Sequence, residues 1–195
     1  MNFIHWYLLI YVQLFVLYLV GKSIIFRLQR KVNPFQFLRN GIWEAFLWLS
    51  MYSILAFYGV LIIFTAIGRS FGATLPFLAH NMIYFMGLAL TVVGAVIMIA
   101  AQHQMAEHWR MGNDHAGKSE LLAHGLFSVT RNPVYVGVLL LALGVSLLLQ
   151  LLFGFILFVI LWLLLRGIVR TEEEFLEEKF GMRYEQYKQK AGRFW

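Results

Sequence analysis

Cysteine is absent from the 195 residues, which excludes disulfides, thiolate nucleophiles and cysteine metal sites. Charge is also scarce. Charged residues make up 13% of the chain and hydrophobic ones 61%, with a mean hydropathy of +0.71. A soluble domain carries about 25% charged residues, so half that value points to a membrane protein. Gly-x-Gly-x-x-Gly, the P-loop and Gly-x-Ser-x-Gly are all missing, which argues against a soluble-type nucleotide fold. The net charge of +6 does not point to nucleic acid. The basic residues flank apolar runs, where they set orientation and meet anionic headgroups.

What is present is a series of apolar runs. Residues 3–20 form the first. No basic stretch precedes it and no small-x-small cleavage site follows it, so it is expected to be a retained span. Residues 21–40 carry Lys22, Arg27, Arg30, Lys31 and Arg39 without an acid, and part of this segment is expected to lie along the headgroups. Residues 42–67 and 82–101 are the second and third spans. Gly87 and Gly94 are seven apart on the third, a spacing that lets helix backbones approach closely.

Residues 133–165 are apolar apart from Ser146 and Gln150. A single helix of this length would be about 50 Å long, against about 30 Å of hydrocarbon. The run must therefore turn back on itself, and residues 150–154 are the expected place. The tail, 171–190, has an amphipathic pattern through Phe175, Leu176, Phe180, Tyr184 and Tyr187, with a break expected at Gly181.

The expected architecture is an all-α polytopic membrane bundle of five transmembrane helices and a C-terminal amphipathic helix. It forms a single membrane domain over residues 1–195, with three spans in 1–101 and a ligand-binding half in 102–195. With the N-terminus outside and the C-terminus cytoplasmic, fifteen of the sixteen basic residues fall on the cytoplasmic side and only Arg69 lies outside, as the positive-inside rule requires.

Two polar islands then share the cytoplasmic face. The first, residues 120–135, contains Gly125, Arg131-Asn132-Pro133 and Tyr135. The second, 166–190, contains Arg170 and the run Glu172-Glu173-Glu174. Arg170 and Glu174, four apart, share a helix face. They read either as a solvated charge cluster ending a membrane helix or as a grip for a ligand carboxylate. Pro133 is ordinary helix-start chemistry, and Gly125 permits a turn or a close approach. His103, His108, His115 and His124 lie in one polar segment but lack the paired spacing of zinc proteases, so no metal is expected.

The ordered series Glu120-Leu121-Leu122, Gly125-Leu126-Phe127, Arg131-Asn132-Pro133-Val134-Tyr135-Val136-Gly137, Arg170, Glu173-Glu174-x-Leu176 and Phe180-Gly181-x-x-Tyr184-x-x-Tyr187 resembles the isoprenylcysteine carboxyl methyltransferase family of integral membrane enzymes. The resemblance covers about Trp109 to Tyr187. It implies S-adenosylmethionine held against Leu121, Leu122, Gly125, Phe127, Asn132, Pro133 and Tyr135, with Glu174 closing the pocket and Arg170 holding the acidic group of the acceptor. S-adenosylhomocysteine would be the product, the acceptor a lipophilic small molecule or lipidated chain, and membrane lipids the surrounding partners. Asn132 stands where the family usually has histidine, Phe127 where it has tyrosine, and the ending lacks its usual proline.

A carboxylate acceptor is already ionised at neutral pH, with an ordinary pKa of about 4, so it needs no general base. Three other readings stay open: a phospholipid N-methyltransferase, a nicotinamide-dependent membrane reductase and a non-enzymatic small membrane protein.

Overall fold

A computed structural model describes Tyr7, Ile10, Tyr18, Gly21 and residues 41–69, 72–105 and 121–194. Most of the expected first span, the basic segment after it, and His108, His115 and Glu120 lie outside the described residues. Five α-helices are described: α1 (Ile42–Ala66), α2 (Asn81–Met105), α3 (Pro133–Leu149), α4 (Leu152–Phe180) and α5 (Met182–Lys190). Short 3-10 turns cover Pro76–Leu78 and Gly125–Ser128.

Helices α1, α2 and α4 are long and apolar enough to cross a membrane, and α3 is a shorter apolar helix of 17 residues. Outward positions such as Leu49, Ile63, Val96, Val159 and Leu163 are exposed. That pattern is unfavourable in water and ordinary against lipid. The chain is an integral membrane protein.

Apolar side chains gain little by leaving lipid for each other, so close backbone packing and hydrogen bonds must hold the helices together. Gly87 and Gly94 on α2 supply the packing. A Cβ on Gly94 would lie 2.7 Å from the Gly137 carbonyl oxygen, and one on Gly137 would lie 2.7 Å from the Gly94 oxygen. Gly87 and Gly144 repeat the arrangement one heptad along, with a Cβ on Gly144 lying 2.7 Å from the Gly87 oxygen. The two pairs fix α2 antiparallel to α3.

The hairpin turn falls at Gln150 and Leu151, within the expected stretch. Gln150 adopts the left-handed conformation at φ 54°, and its carbonyl accepts the Leu75 N–H at 2.8 Å. Its side-chain amide donates to the Leu78 carbonyl at 2.8 Å and its oxygen accepts the Tyr84 hydroxyl at 3.1 Å. One glutamine thus ties the turn to the connection between α1 and α2. Nearby, the buried Tyr58 hydroxyl donates to the Gly154 carbonyl at 2.7 Å, holding α1 on the start of α4. The core continues along α4 through Leu161, Leu165, Ile168 and Val169, each 0% exposed.

α4 does not end at the membrane boundary. Its 29 residues run about 43 Å at 1.5 Å each, so the helical tail expected from 171 is the outer end of α4 as far as Phe180. The break comes at Gly181, whose φ of 52° suits glycine, and α5 follows. This end of the bundle, opposite the Gln150 turn, carries both polar islands.

Candidate functional site

The two islands meet directly. Arg131, just before α3, donates through Nη2 to Glu173 Oε1 on α4 at 2.8 Å, and through Nε to the same oxygen at 3.1 Å. Glu173 is 5% exposed, so its charge needs this partner. Its other oxygen accepts Nη2 of Arg193. One turn into α3, the Tyr135 hydroxyl donates to Glu172 Oε1 at 2.6 Å. The Tyr135 ring rests near Trp48 of α1, with centroids 6.3 Å apart.

The segment after α5 is stitched to the first island. The Arg131 N–H donates to the Gly192 carbonyl at 2.8 Å, and the Gly192 N–H to the Val129 carbonyl at 3.2 Å. The Asn132 amide donates to the Arg193 carbonyl at 2.8 Å. Arg131 Nη1 also donates to the Ala191 and Lys188 carbonyls, at 2.5 and 3.2 Å. Arg131 therefore satisfies carbonyls that the end of α5 would otherwise leave open.

A cavity of about 570 Å³ opens on the far flank of α4. Arginines Arg166, Arg170 and Arg193 line it together with Glu173, Glu174 and Glu177, over Gly167. Arg166, Arg170 and Glu174 follow at intervals of four, which puts them on one face. Arg170 Nε donates to Glu174 Oε1 at 2.9 Å, with the two side chains 78% and 60% exposed. Arg166 lies over the Trp162 ring, 5.1 Å from its centroid. Glu177 is engaged by Lys188 at 2.5 Å, and this hydrogen bond holds the Lys188 ammonium above its ordinary value.

Of the residues singled out in the sequence, Arg170 and Glu174 line this cavity. The others stand beside the stitched segment or between helices. Leu121 packs against Tyr184, Tyr187 and Ala191, and Leu122 is half-buried. Phe127 is buried, and its carbonyl accepts the Tyr187 hydroxyl at 2.5 Å. Burial pushes Tyr187 up to about 12, so it remains a neutral donor at neutral pH.

Gly125 has φ 60°, and a Cβ there would lie 2.6 Å from Gln104 Oε1. That same oxygen accepts the Leu126 N–H at 2.9 Å, so Gln104 shapes the loop. Asn132 and Pro133 are buried at the start of α3. Sequence reasoning did not single out Glu172 as the partner of Tyr135, nor Gln104, Arg166 or Arg193. Glu172 could be guessed from its acidic run; Arg193, one of three basic residues between 188 and 193, offers no local signal.

A family model for phospholipid methyltransferases matches residues 82–183, slightly more than half of the chain. The chain belongs to the phospholipid methyltransferase family. The family segment runs from α2 into the start of α5, so it contains Arg131, Arg170 and Glu174 and stops short of Arg193.

Among similar proteins, the protein-S-isoprenylcysteine O-methyltransferase of Saccharomyces cerevisiae is 29% identical over 122 residues, covering 59% of this chain and 49% of that protein. The Schizosaccharomyces pombe enzyme of the same name is 38% identical over 72 residues, covering 36% and 30%. A probable protein-S-isoprenylcysteine O-methyltransferase of Oryza sativa subsp. indica is 29% identical over 112 residues, covering 55% and 58%. The chain therefore spans about half the length of the curated relatives it matches, or less.

In fold it is similar to the eukaryotic intramembrane Ras methyltransferase ICMT (isoprenylcysteine carboxyl methyltransferase). The TM-score is 0.56 at 19% identity, over 77% of this chain and 50% of that one. These likenesses agree with the resemblance read from the motifs.

Proposed function

We propose that the protein is an S-adenosylmethionine-dependent membrane methyltransferase that O-methylates a carboxylate of a lipophilic, isoprenylcysteine-like acceptor at the cytoplasmic face. The observation that carries this reading is the cavity in which Arg170, paired to Glu174, stands at the outer end of a membrane helix. The names of the yeast and rice relatives support it. The reading includes five spans, an outside N-terminus and a cytoplasmic C-terminus. In support, Tyr7 and Tyr18 bond Thr91 and Gln102 on α2 at the same separation of 84 residues. Tyr7 and Tyr18 thus meet α2 in parallel order, as residues of a first span would meet a third. Arg69 and the two polar islands also lie at opposite ends of the bundle.

The cavity has the size and charge to take the reacting ends of donor and acceptor together. Its volume of about 570 Å³ lies within the usual range of about 300–1,000 Å³ for small-molecule sites. Its lining carries both signs of charge, as a ligand with a carboxylate, an ammonium and a sulfonium requires. Close by, the Tyr184 hydroxyl is buried with no hydrogen-bond partner among the described residues, against Leu121. Glu174 would face the cationic part; Leu121, Leu122, Gly125, Phe127, Asn132, Pro133 and Tyr135, which stand outside the cavity lining, are the rest of the proposed donor set.

When bound, S-adenosylmethionine supplies a methyl carbon on a cationic sulfur, and S-adenosylhomocysteine remains. Arg170 holds the acceptor carboxylate in line, and its bond to Glu174 fixes the guanidinium while moderating its pull on the nucleophile. Opposite charges are consumed in the transfer, so any water that the bound donor and acceptor displace from the site favours reaction.

The family's own description favours a second reading, N-methylation of a phospholipid amine. An amine acceptor would need to lose a proton, and Arg170 is a poor neighbour for it. Calorimetric titration of the detergent-purified protein with S-adenosylmethionine, S-adenosylhomocysteine and NADPH tests the donor, and labelled methyl transfer tests the acceptor. Binding of the first two, with label on a prenylcysteine carboxylate, is expected. Label on phosphatidylethanolamine instead would favour N-methylation, binding of NADPH alone a reductase, and no binding a non-enzymatic protein.

A further inference from the structure

Three arginines and three glutamates line the cavity, and two cations outside the lining, Arg131 and Lys188, also draw on those glutamates. Glu173 is engaged by Arg131 and Arg193, Glu174 by Arg170, and Glu177 by Lys188. Of the three arginines in the lining, Arg193 alone lies beyond the family segment and the motif series.

Its backbone is immobilised independently of its side chain. The Arg193 carbonyl accepts the Asn132 amide at 2.8 Å and the Thr130 hydroxyl at 3.3 Å, and Gly192 bonds the backbone of Val129 and Arg131 through its N–H and its carbonyl. The side chain then reaches Glu173 with Nη2, stays 45% exposed, and lines the cavity. A guanidinium has five N–H donors in a planar fork, and only Nη2 is bonded among the described residues. The remaining donors are available to the cavity. Glu173 already has Arg131, so the carboxylate does not need Arg193 for neutrality.

We infer that Arg193 is a specificity-determining residue of the cavity, binding the acceptor's anionic group beside Arg170. This rests on the reading of the cavity as an acceptor site. Chemically, the tail after α5 makes the site select a carboxylate over a neutral isostere. Arg131 and Asn132 act one step back, by holding the tail that presents Arg193.

The test is equilibrium binding, without turnover, of an S-isoprenylated N-acylcysteine carboxylate and its carboxamide to the full chain in detergent. Wild type is expected to prefer the carboxylate by about tenfold or more, the range of a hydrogen bond to a charged group. Arg193→Gln is expected to cut that preference at least threefold with carboxamide affinity unchanged, which a purely structural role for the tail would not produce. Should that variant fail to fold, Arg193→Lys decides. It keeps a charge beside Glu173 but loses the fork, and the preference again falls at least threefold. An unchanged carboxylate-to-carboxamide ratio in the folded variant overturns the role of Arg193 and leaves the acceptor reading standing. Wild type binding neither probe overturns both.

Discussion

Arg131 and Glu173 are 42 residues apart in the chain and 2.8 Å apart in space. A complete helical hairpin lies between them, and their ion pair closes its polar end. Around Glu173 gather three separate pieces of the molecule: the loop before α3, the outer end of α4, and the segment after α5.

Glu173→Gln leaves Arg131, whose side chain is 10% exposed, without its anion. Removing one partner of a buried pair costs about 3–5 kcal/mol. Arg193→Gln leaves the Arg131 pair intact and is expected to cost less than about 1.5 kcal/mol. Thermal unfolding in detergent measures both, and equal losses would show that Glu173 is not the hub of the tail.

Arg170 and Glu174 are exposed, so Arg170→Ala and Glu174→Ala are each expected to change stability by less than about 1 kcal/mol. Their functional effects separate. Arg170→Ala keeps S-adenosylmethionine binding and loses methyl transfer, whereas Glu174→Ala loses donor binding. Calorimetry beside a transfer assay reads both, and full transfer by Arg170→Ala would remove Arg170 from the reaction.

The α2–α3 contact has no space for a side chain at its glycines. A Cβ on Gly94 or Gly137 would lie 2.7 Å from the opposite carbonyl, so alanine at either is expected to cost about 1–3 kcal/mol. Gly59→Ala is the control, since a Cβ there meets nothing within 4 Å. A melting temperature insensitive to Gly94→Ala would contradict the packing.

Tyr187 titrates from 10.0 up to about 12 because burial disfavours its phenolate. A raised folded value means that the protonated phenol stabilises the fold. This contribution is complete below pH 10 and is lost as pH rises through about 12. Tyr187→Phe removes the titration and the bond to the Phe127 carbonyl. The variant is expected to be less stable at pH 7, by about 1 kcal/mol, and to lose less stability between pH 10 and 12. Equal alkaline slopes for variant and wild type would refute this.

Local features were legible in the sequence because each is governed by a few neighbouring residues. The 133–165 run was too long for one span, and Gln150 broke it. Gly87 and Gly94 announced a close helix contact but not its partners, since Gly137 and Gly144 belong to another helix. Tyr135 was expected beside the donor, and its hydroxyl was found on Glu172. Nothing in the tail pattern signalled Arg193.

By itself, then, the sequence determined the membrane class, the hairpin, the break at Gly181 and the gathering of polar residues at one end. Hydropathy, run length and backbone preference act over short stretches and need no knowledge of the rest. Only the tertiary structure decided which charges meet. Pairing depends on how each helix is rotated against its neighbours and on where the tail docks, and both are set by contacts between residues far apart in the chain.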